Sequence, residues 1–258
     1  GSIDDVATLF AGSAASTGLS ASSGVLSVSD LHPVGVDGAA NQLITDDGDG
    51  TVTSESKLLC NGATTTIGNG TAEDSMLVFD GNAVDFRIGI DDSADVLEIG
   101  KGSTHGTTPA IKVDSNVNVQ IMHNSAVADG EVSGDLAVFQ ADEDLSAGEI
   151  VYFKSNGKVA KATATAAASS RAIGLCTADT AANAFGAFLL RGFARFNSAF
   201  PTWTVGGTIY NPTAEQSGLN VPHQTAPSAD GQYLQIVGYS VSADAIWFDP
   251  DSTVVEIA

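Results

Sequence analysis

Acidic side chains are the most abundant groups in this sequence that could do chemistry, with 31 aspartates and glutamates among 258 residues. One acidic segment has part of the spacing of a calcium-binding loop. With Gly50 at the sixth position of the loop, Asp47 occupies position three and Asp49 occupies position five. Positions one and twelve are then Thr45 and Ser56, so the leading carboxylate and the bidentate glutamate are missing. The spacing therefore predicts an acidic turn and no metal site.

A second acidic group consists of Asp91, Asp92 and Asp95. These carboxylates could hold a cation on a three-fold axis or cap a turn, and we favour the turn. Paired carboxylates also hydrolyse glycosides when they lie roughly 5–10 Å apart and one has a raised pKa. In so acidic a chain some pair reaches that separation by chance, so the acids alone do not predict a glycosidase.

The other chemistry-bearing residues are scattered. The four histidines, His32, His105, His123 and His223, lie far apart and outside any Gly-x-Ser-x-Gly or Cys/His context. The chain has no His-x-x-His or Cys-x-x-Cys pair for zinc, and its Gly-x-Gly pairs lack the third glycine that opens a dinucleotide-binding helix. The sequence predicts no enzymatic activity, no catalytic residue, no metal and no cofactor.

Aromatic residues form the best candidate for a ligand-binding site. Phe196, Phe200 and Trp203 lie in a segment whose proline and small residues indicate a loop, and aromatic faces can stack on a sugar or on an apolar partner. We therefore name these three residues as the candidate ligand-binding residues. The alternative, which we favour, is that Trp203 and Val205 point inward from a strand.

The elements that must position these residues are strands. The chain has 28 glycines and few of the residues that favour helices. Short β-branched runs alternate with Gly, Asn and Asp turn clusters, which predicts an all-β fold. Asn156-Gly157, between two apolar runs, predicts a hairpin turn. We expect Cys60 and Cys176 to be reduced, buried apolar residues, since two distant cysteines make no disulfide framework.

The chain divides into three segments. Residues 1–40 are small and polar and predict a linker that attaches to something larger. Residues 41–130 contain an internal repeat, Ile-Gly-x-Gly-Thr/Ser, at 67–71 and again at 99–103. Such sparse units need stacked partners, either along one chain or around a three-fold axis. Residues 131–258 are denser and predict a small β-barrel or sandwich with its own core.

Part of the sequence resembles a known class of proteins. Residues 66–95, beginning Thr-Ile-Gly-Asn-Gly-Thr and ending Ile-Asp-Asp-Ser-Ala-Asp, are similar to a segment of tail-fibre and related virion appendage proteins of tailed bacteriophages, marine ones especially, and residues 96–114 continue it. The C-terminal order of Gly-Glu-Ile-Val, Arg-Ala-Ile-Gly-Leu, Gly-Phe-Ala-Arg-Phe and Ile-Val-Gly-Tyr-Ser resembles phage capsid-decoration and fibre-head β-barrels.

This resemblance implies an elongated, intertwined, homotrimeric β-repeat shaft at 41–130 followed by a globular head at 131–258. It implies a virion structural protein that attaches to a host cell-surface receptor or glycan and contacts other virion proteins. Such a protein is assembled in the host cytoplasm and exposed on the particle surface. Two alternatives stay open: a capsid-decoration or head-fibre protein that binds the shell, and a polysaccharide depolymerase spike.

Charge and hydropathy exclude other partners. Ten basic residues against 31 acidic ones give a net charge of −21, which repels nucleic acid phosphates and anionic membranes. No apolar run reaches the ~20 residues of a membrane span. Three copies would carry about −63, three times −21, so we expect a trimer to need salt or divalent cations to screen its self-repulsion.

Overall fold

The protein is all-β in the part of the chain that the structure describes. The computed structural model describes residues 19–22, 25–28, 41–48 and 52–258, which form twenty strands and no helix. This confirms the all-β fold class that the scarcity of helix-forming residues predicts. Among the described residues there is accordingly no helix long and apolar enough to cross a membrane.

The chain separates into two compact units, Gly1–Ile121 and Met122–Ala258. The division falls in the strand-free stretch after Ile121, somewhat before the boundary at 130 that composition indicates. Most of the 1–40 segment, predicted to be a linker, lies outside the described residues. Within it the structure describes one antiparallel pair of strands, β1 (Leu19–Ser22) and β2 (Val25–Val28).

The N-terminal unit holds two further antiparallel sheets. A three-stranded sheet has the order β3-β4-β5, and a five-stranded sheet has the order β10-β9-β8-β7-β6, so neighbours in the chain are neighbours in space. Each sheet is therefore a meander. The strands are β3 (Gln42–Asp46), β4 (Val52–Asn61), β5 (Thr64–Ile67), β6 (Ser75–Phe79), β7 (Phe86–Asp91), β8 (Val96–Lys101), β9 (Pro109–Val113) and β10 (Val119–Ile121).

The two copies of the Ile-Gly-x-Gly repeat occupy different structural positions. Ile67 is the last residue of β5, and Gly68 and Gly70 follow it with positive φ. Ile99 and Gly100 lie inside β8, and only Gly102 after the strand has a positive φ. The first copy therefore ends a strand, whereas the second forms part of one.

The C-terminal unit is built on an eight-stranded sheet that curves into a half-barrel. Its path is β13-β12-β14-β15-β19-β18-β16, and β11 pairs with the other edge of β15. A separate pair joins β17 to β20. The strands are β11 (Glu131–Gln140), β12 (Ile150–Phe153), β13 (Val159–Lys161), β14 (Gly174–Cys176), β15 (Phe185–Arg195), β16 (Thr208–Tyr210), β17 (Tyr233–Leu234), β18 (Ile236–Ser240), β19 (Ala245–Phe248) and β20 (Val255–Glu256).

The predicted Asn156-Gly157 hairpin is confirmed. β12 pairs antiparallel with β13, with Phe153 opposite Val159, and Gly157 adopts a φ of 80° in the turn. A left-handed backbone conformation costs glycine little, which is why Asn-Gly marks such turns.

The hydrophobic core lies entirely in the C-terminal unit. Within the described residues, every buried hydrophobic side chain comes from Val127 or later. The larger of two clusters includes Ile150, Leu189 and Phe248 under the half-barrel, and the smaller one surrounds Phe188 and Val151. The described part of the N-terminal unit has no such cluster, and the apolar side chains of its sheets are half-buried or exposed.

Candidate functional site

The five-stranded sheet of the N-terminal unit has one face made almost entirely of apolar side chains, because its strands alternate apolar and polar residues. Ser75 and Lys101 are the polar residues that the register places on this face. Directly opposite residues of antiparallel strands share a face, so the pairing register sets the rows. We call this surface the apolar face. It consists of Leu77, Phe79, Phe86, Ile88, Ile90, Leu97, Ile99, Ile111, Val113, Val119 and Ile121.

One continuous row crosses all five strands. Nine of the eleven side chains on the apolar face are between 37 and 66 % exposed, and the other two are half-buried. Exposed single apolar residues are common on proteins, but a contiguous patch of this kind marks an interaction surface. The row is Leu77, Ile88, Ile99, Ile111 and Ile121.

The centre of the opposite face of the same sheet is polar and buried, the reverse of the usual arrangement. Arg87 and Glu98 are 1 % and 0 % exposed. Small residues make room for them, since Gly100 lies opposite Arg87, and Gly89 lies opposite Glu98. The connection from β8 to β9, residues 102–108, covers this face and brings His105 against it.

Glu98 is the centre of a buried ionic cluster. Its Oε2 accepts hydrogen bonds from Arg87 at 2.8 Å and from the Gly106 N–H at 3.0 Å, and His105 Nδ1 lies 2.9 Å away. Lys112 Nζ lies 3.2 Å from Oε1. Arg87 also donates to the carbonyls of Lys101 and Gly102. The cluster therefore ties β7, β8, β9 and the covering connection together.

Donors around Glu98 determine its ionisation. Burial by itself raises the pKa of a carboxyl, but the hydrogen bonds from Arg87, Gly106, His105 and Lys112 outweigh burial and lower the pKa of Glu98 from 4.5 to about 2. A carboxylate this well satisfied is a poor proton acceptor at neutral pH. The geometry suits a structural clamp and not a general base.

The predicted acidic turns are hydrogen-bonded within themselves where the structure describes them. Asp46 accepts from the Gly48 N–H, and Asp47 accepts from the Thr53 hydroxyl, while residues 49–51 of the loop lie outside the described residues. Asp91 accepts from the Ser93 hydroxyl and the Ala94 N–H in the β7–β8 turn. The described residues bring no three metal-ligating side chains together.

The structure corrects the ligand-binding role assigned to Phe196, Phe200 and Trp203. These residues are 4, 6 and 4 % exposed and belong to the larger core cluster. The rings of Phe196 and Phe200 meet edge to face at 5.5 Å, and those of Phe200 and Trp203 lie 4.8 Å apart. Their faces are used within the core, so no ligand can stack on them. The segment is not a strand, and Val205 next to it is exposed.

A different set of aromatic residues lines the outer face of the half-barrel. Phe193, Trp247 and Tyr239 are directly opposite one another on β15, β19 and β18. The rings of Phe193 and Trp247 are 4.7 Å apart, and the Arg191 guanidinium lies 5.4 Å from the Trp247 ring. Arg191 also pairs with Asp249 at 3.5 Å. We call Phe193, Trp247 and Tyr239 the aromatic row.

The sequence carried only a partial signal for the aromatic row. Phe193 lies between Gly192 and Ala194, which indicates that its neighbours point to the other face of the strand. Ile246-Trp247-Phe248 is apolar throughout, and such a run reads as core or interface. The alignment of three rings across β15, β19 and β18 depends on register between distant segments, which sequence spacing does not give.

The two cysteines differ in environment. Both are unpaired thiols; Cys176 is buried as expected, but Cys60 is exposed on β4, which corrects the expectation for that residue. Burial raises the pKa of the Cys176 thiol, although hydrogen bonds with Thr180 and the Ala178 carbonyl act in the opposite direction. The raised pKa makes the Cys176 thiol a poor nucleophile.

Compared with known proteins, the chain matches no protein-family model and no curated protein. The candidate interaction surfaces are therefore those that the structure itself displays, the apolar face of the N-terminal unit and the aromatic row of the C-terminal unit.

Proposed function

We propose that this chain is a non-enzymatic structural protein of a tailed-bacteriophage virion, a subunit of a homotrimeric fibre that attaches to the host surface. The observation that carries the proposal is that the described residues of the N-terminal unit bury no hydrophobic side chain. A sheet that leaves its apolar surface in water gains little from folding alone. Assembly with further copies supplies the missing burial, as in obligate oligomers.

In this proposal the two units have different tasks. The N-terminal unit forms the shaft with its counterparts, and the similarity of residues 66–114 to phage fibre segments supports that role. The C-terminal unit has a complete core in a single chain and forms the head. Three heads on one shaft bind a repeated surface ligand with more avidity than one head.

We place the contact with the host ligand on the aromatic row. Trp, Tyr and Arg are the residues that contribute most to binding at interfaces, and Trp247, Tyr239 and Arg191 lie together there. Tyr239→Ala removes an exposed ring and is expected to weaken binding of the labelled protein to host cells or surface polysaccharides at least several-fold. Val205→Ala, at an exposed position outside the row, is the control and should bind like the wild type.

A second candidate function is attachment to another virion protein, as in capsid decoration. It is favoured by β11, whose second edge has no strand partner among the described residues. Three large apolar side chains are exposed on β11 and the adjoining end of β15: Leu136, Val138 and Phe185. An open edge with apolar neighbours is a site where another chain can add a strand.

Thermal unfolding at several protein concentrations tests the proposed obligate assembly. If folding and assembly are one process, the midpoint rises with protein concentration, because dilution favours the dissociated, unfolded chains. Both tryptophans lie in the C-terminal unit, so circular dichroism must be recorded beside fluorescence to follow the N-terminal sheets. A midpoint for those sheets that does not change with concentration would contradict the proposal.

A further inference from the structure

We infer that the apolar face is the surface through which copies of this chain assemble, with the same face of each of the other two copies packing against it around a three-fold axis. The inference rests on the proposed homotrimer and adds the surface that forms it. The face is continuous across β6, β7, β8, β9 and β10. Neither the row that contains Ile88 nor the row that contains Ile90 has a charged residue. Lys101, opposite Phe86, lies at its rim.

The extent of the apolar face fits a stable interface between proteins. Its nine exposed side chains together leave on the order of 800 Å² accessible, whereas the largest patch on a typical monomer is about 300–600 Å². A standard interface buries about 800 Å² on each partner. The apolar face therefore has the area that a specific assembly needs and more than an isolated chain normally exposes.

Charge favours a second copy as the occupant. Each chain carries a net charge of −21, so two copies repel over most of their surfaces. The rows that contain Ile88 and Ile90 carry no charge, and Lys101 lies only at the rim of the apolar face. Arg87, Glu98 and Lys112 lie on the other side of the sheet, where their charges pair. Two copies can therefore approach at this face with the least electrostatic cost. An anionic lipid surface would meet the full negative charge of the chain.

The buried ionic cluster on the back of the sheet supports this role. An apolar sheet face needs a rigid backbone if it is to match another copy, and here the rigidity cannot come from a hydrophobic core within the unit. Glu98, Arg87 and Lys112 link β7, β8 and β9 directly. The clamp keeps the rows of the apolar face in register without using any apolar side chain.

Charge insertion at the centre of the apolar face tests the inference. Ile88→Glu and Ile99→Glu place a carboxylate in the row that crosses all five strands. We expect light scattering to give one chain mass of 26.1 kDa for these variants, where the wild type gives three times that mass. Val205→Glu is the matched control, because it adds the same charge to an exposed apolar position of the C-terminal unit and should stay trimeric.

A milder variant keeps the test decisive if the glutamate variants fail to fold. Ile121→Cys, in a Cys60→Ser background, puts a thiol at an exposed edge position of the apolar face. Assembly should slow its labelling by a thiol reagent at least ten-fold relative to Val205→Cys in the same background. In 6 M guanidinium, roughly where most domains unfold, both should label at the same rate.

The outcomes separate the inference from the proposed function. A trimeric wild type with monomeric glutamate variants, or with a protected Cys at 121, supports the inference. A trimeric wild type whose glutamate variants stay trimeric and whose Cys at 121 labels like the control overturns the inference and leaves the proposed trimer in place. A monomeric wild type overturns both.

Discussion

Glu98 is the residue on which the N-terminal sheet depends most. It is fully buried, its partners come from two neighbouring strands and a connection, and the side chain of Arg87 has no exposed surface. Glu98→Gln leaves the Arg87 and Lys112 charges without an anion. Breaking a buried pair in this way costs about 3–5 kcal/mol. We expect urea unfolding, followed by circular dichroism, to show a loss of that size.

The matched control for this variant is Glu73→Gln. Glu73 pairs with Lys57 at 2.5 Å, but the two side chains are 33 and 58 % exposed. Exposed ion pairs contribute little because water screens them and their side chains lose entropy when they pair. An equal loss of stability in the two glutamine variants would show that Glu98 is not a special clamp.

The pH dependence of stability follows from the same residue. The pKa of Glu98 is about 2 in the folded protein against 4.5 ordinarily, so the unfolded chain takes up a proton at a higher pH than the folded one. The stabilisation from ionised Glu98 is thus fully present above about pH 4.5 and is lost as the pH falls towards 2, a total of about 3 kcal/mol. The stability difference between wild type and Glu98→Gln should shrink over that interval. A difference that stays constant from pH 6 to pH 2.5 would contradict this assignment.

At the scale of elements, the pairing of β11 with β15 depends on two glycines that face each other. A Cβ on Gly134 would lie 2.1 Å from the Arg191 carbonyl oxygen and 2.7 Å from Gly192 Cα. The two strands cannot move apart to make room for this Cβ without breaking the backbone hydrogen bonds that pair them. Gly134→Ala is therefore expected to lower the free energy of unfolding by about 1–3 kcal/mol, measured by urea unfolding with tryptophan fluorescence.

Gly174→Ala provides the comparison within the same sheet. A Cβ there meets its nearest neighbour, Phe188 Cβ, at 3.4 Å, which is an ordinary contact. Its unfolding midpoint should stay near that of the wild type. If both alanine variants unfold alike, the close approach of β11 and β15 does not control the stability of the C-terminal unit.

The elements also show what the sequence could and could not predict. Alternation in Phe86–Asp91 indicates a strand with one apolar and one polar face, and the structure has that strand. The usual rule then buries the apolar face, yet the structure buries Arg87. The reason is that residues 102–108 fold back over the polar face, where His105 and the Gly106 N–H contact the Glu98 carboxylate. Alternation within a strand carries no information about how the next connection folds.

The ligand-binding role predicted for Phe196, Phe200 and Trp203 is wrong for a related reason. The proline and small residues around Phe196, Phe200 and Trp203 indicate a non-strand segment, and the structure has no strand there. Burial of that segment depends on the half-barrel that packs around it, including Val237 and Ile246. Local composition distinguishes a loop from a strand, but it does not tell whether a loop lies over the core or under it.

For the whole molecule, net charge opposes the assembly that the apolar face favours. Three chains carry about −63, three times −21, and salt screens such repulsion with a Debye length of about 30 Å at 0.01 M and about 8 Å at 0.15 M. We expect the trimer to dissociate on dilution more readily at low salt, as followed by sedimentation. Weaker assembly at 0.15 M than at 0.01 M would contradict the electrostatic account.

The mass of the wild-type chain in solution tests the central claim most directly. Light scattering at near-physiological salt, over a range of protein concentrations, gives that mass without labels or variants. Assembly through the apolar face predicts three times 26.1 kDa, retained on dilution. A mass of 26.1 kDa for a folded chain would contradict it, because the exposed rows of the five-stranded sheet would then be stable without a second copy.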